Sequence, residues 1–339
     1  MRVAVYYSNS DIRLEQCPRP TIGPGEVLMR IRASGICGSD LMEWYRKPKA
    51  PLVLGHEVAG TVEETGEGVD RFAVGDRIVT THHVPCNSCR YCLTDRHSVC
   101  PTLHSTHFDP GGFSEFVRLP AINVDRGTFV LPEKVSFEEG SFVEPLACVV
   151  RGQRHAGLRP GDSVAVLGSG VSGILQIQFA RAMGAGRIVA TDISEPRLEM
   201  ARKYGADVAL MAGDDLPTRA REANDGKLIE RVLVCAASRT AMQQALEIVD
   251  LGGSVLFFAP LLPSETLDYP ANDLWKRGVS IVHSYAGPPA DMRTAIELIA
   301  AGRVDVASMV TDRVDLANTA EGFRLMTESG NSLKVIVEP

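Results

Sequence analysis

The sequence predicts an α/β protein of two parts: a β-rich catalytic part and a doubly wound parallel sheet. Three observations carry this. The first 150 residues hold short alternating or β-branched runs broken by Gly, Pro and Asp turns. Beyond them, Val/Ile/Leu-rich strands alternate with helical stretches of 10–15 residues, the pattern of βαβ units covered on both faces. Between the two patterns' demands, 339 residues exceed what one hydrophobic core spans.

The early strands are "EVLMRIRAS", "EVAGTVEET", "DRIVTT", "FSEFVRLP" and "NVDRGTFVLP". The βαβ series runs "DSVAVLG", "VSGILQIQFARAMGA", "RIVATD", "EPRLEMARKYGA", "ERVLVCAA", "TAMQQALEIVD", "GSVLFFAP". After about residue 286 we expect one amphipathic helix, "DMRTAIELIAAG", and short strands ending in "LKVIVEP". The expected division is 1–150 with 286–339 for the β-rich part, including a cysteine lobe near 82–104, and 151–285 for the nucleotide-binding part.

Composition narrows the function. A net charge of −7 and no long basic run argue against a nucleic-acid partner. The most apolar stretch, "SVLFFAPLLP", is too short to span a bilayer, which argues against a membrane role. The opening residues lack the layout of a secretory leader, so a cytoplasmic protein is expected.

"SVAVLGSGVSG" places Gly168, Gly170 and Gly173 in a G-x-G-x-x-G pattern between an apolar strand and a helix that starts with Val171 and Ser172. Gly168 suits the tight turn, Gly170 lets backbone approach a pyrophosphate, and Gly173 permits close helix–strand packing. The helix N-terminus then offers free N–H groups to an anion. Asp192, nineteen residues after Gly173, suits the adenosine ribose hydroxyls and repels a 2′-phosphate, favouring NAD over NADP. Arg197 offers a nearby cation, expected along the adenine edge or in solvent.

Cys86, Cys89, Cys92 and Cys100 form C-x2-C-x2-C-x7-C. In a reducing compartment such spacing reads as metal ligation, and four thiolates close a tetrahedral zinc with no open position. An iron–sulfur cluster is the alternative. A second constellation is dispersed: Cys37 in "GICGSD", His56 and Glu57 in "VLGHEVAG", and Glu144 in "SFVEPLACVV". Together, one thiolate, one imidazole and one carboxylate suit a catalytic zinc set with an open position. Cys17, Cys148 and Cys235 are expected in cores.

Taken in order, "GICGSD", "LGHEVAGTVEETGEGVDRFAVGDRIV", the four-cysteine lobe, "GGFSEFV", "VEPLACVV" and the glycine turn resemble the zinc-dependent medium-chain alcohol and polyol dehydrogenases, particularly the sorbitol, threonine and idonate dehydrogenase branch. The resemblance covers essentially the whole chain. It implies a GroES-like β-rich catalytic domain joined to a Rossmann domain, two zinc ions, and a homodimer or homotetramer. It implies Cys37, His56 and Glu144 as catalytic zinc ligands, with Glu57 on the metal or just behind it. Ser39 takes the hydroxyl position that meets the substrate oxygen, and the lobe becomes a structural zinc site.

The expected activity is hydride transfer between a secondary alcohol or its ketone and NAD(P), with a polyol, sugar acid or cyclitol as substrate. A carbonyl reductase, or a non-catalytic nucleotide-binding protein of this fold, is the competing reading. Two departures stand out. Met42 replaces a histidine common in the branch, and only nineteen positions separate Cys37 from His56. Trp44, Tyr45, His104, His107, Phe113, Ser284 and Tyr285 are candidates for the pocket wall.

Overall fold

A computed structural model describes residues 1–328 and 332–339, and the chain divides into two compact units. One comprises Met1–Ala147 with Ala286–Pro339, the other Cys148–Tyr285.

The discontinuous unit begins with a hairpin, β1 (Arg2–Ser8) and β2 (Asp11–Gln16), extended by the two-residue β4 (Leu52–Val53) in the order β2-β1-β4. Its main sheet uses β3 (Val27–Gly35), β5 (Glu57–Thr65), β6 (Arg77–Thr80), β7 (Phe116–Leu119) and β8 (Thr128–Val130). The short helices α1 (Glu43–Arg46) and α2 (Pro101–Ser105) lie in the connections. Then come α3 (Phe137–Ser141) and α4 (Val143–His155). Ser136 caps α3 in a reciprocal box with Glu139, satisfying two otherwise orphaned N–H groups.

Expectation and structure differ in three places. "NVDRGTFVLP" is a strand only over Thr128–Val130, because Asn123–Gly127 winds into one wide π-type turn. Buried Asn123 holds that turn by donating to the Thr81 carbonyl (2.9 Å) and accepting from the Thr128 hydroxyl (2.9 Å) on its own carbonyl. The tail holds two helices rather than one, α10 (Pro289–Ala300) and α11 (Thr319–Glu328). Its strands β15 (Val310–Asp315) and β16 (Lys334–Glu338) join the main sheet in the order β15-β16-β3-β5-β6-β8, with β7 on β3. Finally, the N-terminal segment, expected only as a non-leader, is the hairpin above.

The contiguous unit is a six-stranded parallel sheet. Its strands are β9 (Val164–Leu167), β10 (Ile188–Asp192), β11 (Val208–Met211), β12 (Ile229–Val234), β13 (Val249–Phe257) and β14 (Ser280–His283). Between them run α5 (Val171–Ala182), α6 (Glu195–Lys203), α7 (Leu216–Ala223), α8 (Arg239–Ile248) and α9 (Ala271–Arg277). The order β11-β10-β9-β12-β13-β14 is the 3-2-1-4-5-6 arrangement of dinucleotide-binding sheets, and it reverses between β9 and β12. All four residues of β9 are buried, as a central parallel strand demands. Among the described residues no helix is long and apolar enough to cross a membrane.

Candidate metal and nucleotide sites

The four lobe cysteines are unpaired, and their sulfurs converge. Cys89–Cys92, Cys86–Cys100 and Cys86–Cys92 sulfur separations are 3.5, 3.7 and 4.0 Å. Four thiolates at about 2.3 Å from a tetrahedral zinc stand about 3.8 Å apart, so the donor set fits that ion. The loop needs left-handed backbone at Asn87 and Asp95 (φ 59° at each) to turn its cysteines inward. Hydrogen bonds from Ser88 and Cys89 pull the Cys86 thiol below its ordinary range, toward the thiolate a metal requires. Arg126 braces the lobe from outside through the Pro85 and Cys86 carbonyls.

Cys37, His56 and Glu57 bring one donor atom each to within 4.8 Å of one another. Sheet register does this: Gly35 pairs with Glu57 across β3 and β5, so Cys37 and His56 leave the sheet side by side. Ser39 donates to the Cys37 sulfur from its backbone N–H and its hydroxyl, 3.4 Å each. Fully buried Asp40 accepts from the Cys37 N–H (3.1 Å) and faces His56 Nδ1 at 3.5 Å. Nδ1 is thereby engaged and Nε2 is left for a metal, the usual orientation of a ligating histidine. Burial alone would push the His56 imidazole down, but Asp40 and the Cys37 sulfur outweigh it and hold it well above its ordinary value. Such a concentration of negative charge around one imidazole is the environment a divalent cation satisfies.

Glu57 is buried and ion-paired with Lys334 of β16, which also donates to the Ile36 carbonyl (3.2 Å). Gly35 makes room for the pair, since a Cβ there would fall against the Glu57 carboxylate and 2.6 Å from the Lys334 ammonium. Glu144 is buried in the first turn of α4, and it stands outside the group of three donors that lie within 4.8 Å of one another. Among the pocket-wall candidates, Phe113 is fully buried in the core with Tyr6, Ile36 and Phe323. Trp44, Tyr45, His104, His107 and Tyr285 are exposed, and Ser284 is half-buried.

Several side chains at the site went unread in the sequence. Asp40 sat in plain view within "CGSD". Lys334, a lone cation in an otherwise apolar strand, was a signal by its incongruity. His82 was marked only by the doubled histidine before the lobe: its ring stands 4.8 Å from that of His56 and 3.7 Å from that of His83. Burial holds His82 well below its ordinary value, hence neutral, and its Nδ1 has no hydrogen-bond partner among the described residues. Arg46 had no signal at all.

In the contiguous unit the glycine turn fits a pyrophosphate. Gly168 has φ +100°, and a Cβ there would stand 2.9 Å from the Ala236 N, across the β9/β12 reversal. A Cβ on Gly173 would collide with the Gly168 carbonyl, so only glycine lets α5 start this close to β9. Val171 and Ser172 open α5 behind Gly170, its first turn facing the loop. Asp192 ends β10 and accepts from the Ser169 N–H (2.8 Å) and the Ser194 N–H (3.0 Å), which fixes its carboxylate beside the turn. Arg197 is half-buried, and its Nη1 stands 2.9 Å from where a Gly170 Cβ would be. Cys235, just after β12, is kept a neutral thiol by burial, which pushes it up to about 12.

The chain is similar to several known proteins. Residues 23–126 match the alcohol dehydrogenase GroES-like domain, and residues 172–301 the zinc-binding dehydrogenase domain. Sorbitol dehydrogenase of Bacillus subtilis is 31% identical, over 100% of this chain and 97% of that protein. The Homo sapiens sorbitol dehydrogenase is 32% identical over 98% and 94%. An alcohol dehydrogenase from Thermus sp. ATN1 superposes with a TM-score of 0.89 at 28% identity, over 100% of this chain and 99% of that one. A 2R,3R-butanediol dehydrogenase from Bacillus subtilis gives 0.87 at 26% identity, again over 100% and 99%.

Proposed function

The chain belongs to the zinc-dependent medium-chain alcohol and polyol dehydrogenases, enzymes that use a nicotinamide cofactor, and from that premise we propose which of its residues do the work. Cys37, His56 and Glu57 would hold the catalytic zinc, with Glu144 as the further candidate ligand. Cys86, Cys89, Cys92 and Cys100 hold the structural zinc. Gly168, Gly170, Val171, Ser172 and Gly173 cradle the pyrophosphate, flanked by Arg197, and Asp192 selects NAD over NADP. The substrate is a small polar secondary alcohol, a polyol, sugar acid or cyclitol. The observation that carries this reading is the convergence of Cys37, His56 and Glu57 from two strand ends onto one point.

When bound, zinc supplies Lewis acidity that makes a coordinated hydroxyl easier to ionise. The chain's own residues do the rest. Asp40 keeps the His56 ring in one tautomer and orientation. Ser39 Oγ, which is hydrogen-bonded at the Cys37 sulfur, would accept the substrate's hydroxyl proton. Met42 carries no proton, so the proton leaves Ser39 by water rather than by a histidine at that position. Lys334 neutralises Glu57 and moderates the negative charge of a thiolate-carboxylate ligand set.

Free thiols throughout suit a reducing, cytoplasmic setting, and we expect a homodimer or homotetramer. The test is Cys37→Ser, with zinc counted per chain and NADH followed by absorbance. We expect one zinc to remain, nucleotide binding to persist, and turnover to fall by about 10³-fold, the scale of a lost Lewis acid. Full turnover by a folded variant that retains the lobe zinc overturns the assignment.

A further inference from the structure

The short link from Cys37 to His56 contains α1, and the last residue of that helix turns back toward the catalytic cluster. The Arg46 guanidinium donates from Nε to the Ser39 carbonyl (3.0 Å) and from Nη2 to Ser39 Oγ (3.1 Å) and Asp40 Oδ1 (3.3 Å). Its face lies over the Tyr45 ring, 4.9 Å from the centroid, and the Lys49 ammonium sits 3.6 Å from the same ring. The side chain is 16% exposed, and Nη1 makes no hydrogen bond among the described residues. A rigidly held guanidinium thus touches the hydroxyl that meets the substrate and keeps one donor edge unspent.

Proton transfer does not explain this arginine, since a guanidinium stays protonated throughout the working range of an enzyme. Guanidinium N–H groups recognise carboxylates, and with Nε and Nη2 already engaged it is Nη1 that offers the charged donor. Buried Asp40 is ion-paired with the guanidinium at 3.3 Å, which offsets part of its charge. A hydroxyl on Ser39 Oγ and a carboxylate on Nη1 are separated by one guanidinium and two hydrogen bonds. That span admits a carboxylate roughly two to four carbons from the reacting alcohol.

We propose that Arg46 is a carboxylate-binding residue of the active site and that the preferred substrates are hydroxy acids of the aldonate type. This rests on the dehydrogenase site assigned above and narrows its substrate class.

The experiment compares four- to six-carbon aldonates with their own primary amides, using zinc-loaded wild type, Arg46→Gln and Arg46→Lys, with NADH formation as readout. Wild type is expected to prefer acid over amide by about 30-fold in kcat/KM, the scale of one charged hydrogen-bonded contact. Arg46→Gln should bring that ratio close to one, and Arg46→Lys should keep part of it through its charge. A wild-type ratio of one or below, a ratio that Arg46→Gln leaves in place, or a preference for a phosphate ester over the acid overturns the proposal. Should Arg46→Gln fail to fold, the wild-type ratio decides, together with competitive inhibition of alcohol oxidation by succinate, weakened in Arg46→Lys. Turnover of neutral alcohols with indifference to charge defeats the carboxylate subsite alone, whereas no turnover of any alcohol defeats the dehydrogenase site as well.

Discussion

The Lys334 ammonium and the Glu57 carboxylate form an ion pair with side-chain exposures of 0% and 1%, joining the last strand to the residue beside His56. In the metal-free protein, removing one partner leaves the other's charge buried and uncompensated. Lys334→Met should therefore destabilise the protein by about 3–5 kcal/mol in urea unfolding. The double variant Lys334→Met/Glu57→Gln should cost clearly less than the sum of the two single changes. Simple additivity would mean that the two groups do not depend on each other.

The cysteine lobe, as proposed above, acts as a staple rather than a reactor. Cys89→Ser should lower bound zinc from two ions per chain to one and bring down the urea midpoint, while turnover measured well below that midpoint survives. Lost activity at unchanged stability would place the lobe in the chemistry.

Asp192 accepts from the glycine turn at Ser169 with one oxygen and from Ser194 with the other, so a test of its selectivity must preserve an acceptor. Asp192→Asn does this while removing the charge that repels a 2′-phosphate. Its kcat/KM ratio of NADP to NAD should rise by about tenfold or more. An unmoved ratio would reassign selectivity to another group.

His83 supplies a pH dependence. Burial lowers it to about 4, although its Nδ1 lies 3.0 Å from the Leu103 carbonyl. Its folded value lies below the unfolded value of about 6.5, so the unfolded chain takes up the proton first as pH falls. The associated stability is fully present above about pH 6.5 and is lost by about pH 4, a few kcal/mol in all. Urea midpoints between pH 7 and 4 should fall less steeply in His83→Gln than in wild type. Parallel slopes would show that His83 is not the group responsible.

What the sequence disclosed was what short-range chemistry dictates. The glycine turn was legible because Gly168, Gly170 and Gly173 each meet a local steric demand, and the lobe because four thiols within fifteen residues have few other uses. Cys37, His56 and Glu57 were legible as a set through resemblance, and register explains why they meet: Gly35 opposite Glu57 aligns the strand ends. Lys334 and Arg46 were not legible, because their roles arise from contacts that no spacing encodes. Helix α11 was overlooked since "TAEGFRLMTE" is only ten residues long and mixes polar with apolar side chains. Asn123–Gly127 read as strand because the buried amide that bends it looks, in sequence, like any loop asparagine.

The main sheet of the first unit takes strands from both sides of the intervening nucleotide unit, and this sets a timetable for synthesis. On the ribosome, the whole of Cys148–Tyr285 emerges as one continuous piece and has all its own strands in hand. Glu57 must wait 277 residues for Lys334, roughly 15 to 55 seconds at ordinary elongation rates. Through that interval β3 lacks its β16 neighbour and an apolar edge lies open. The nucleotide unit should therefore fold before the Glu57–Lys334 pair can close, and that waiting edge is where a chaperone would have reason to bind.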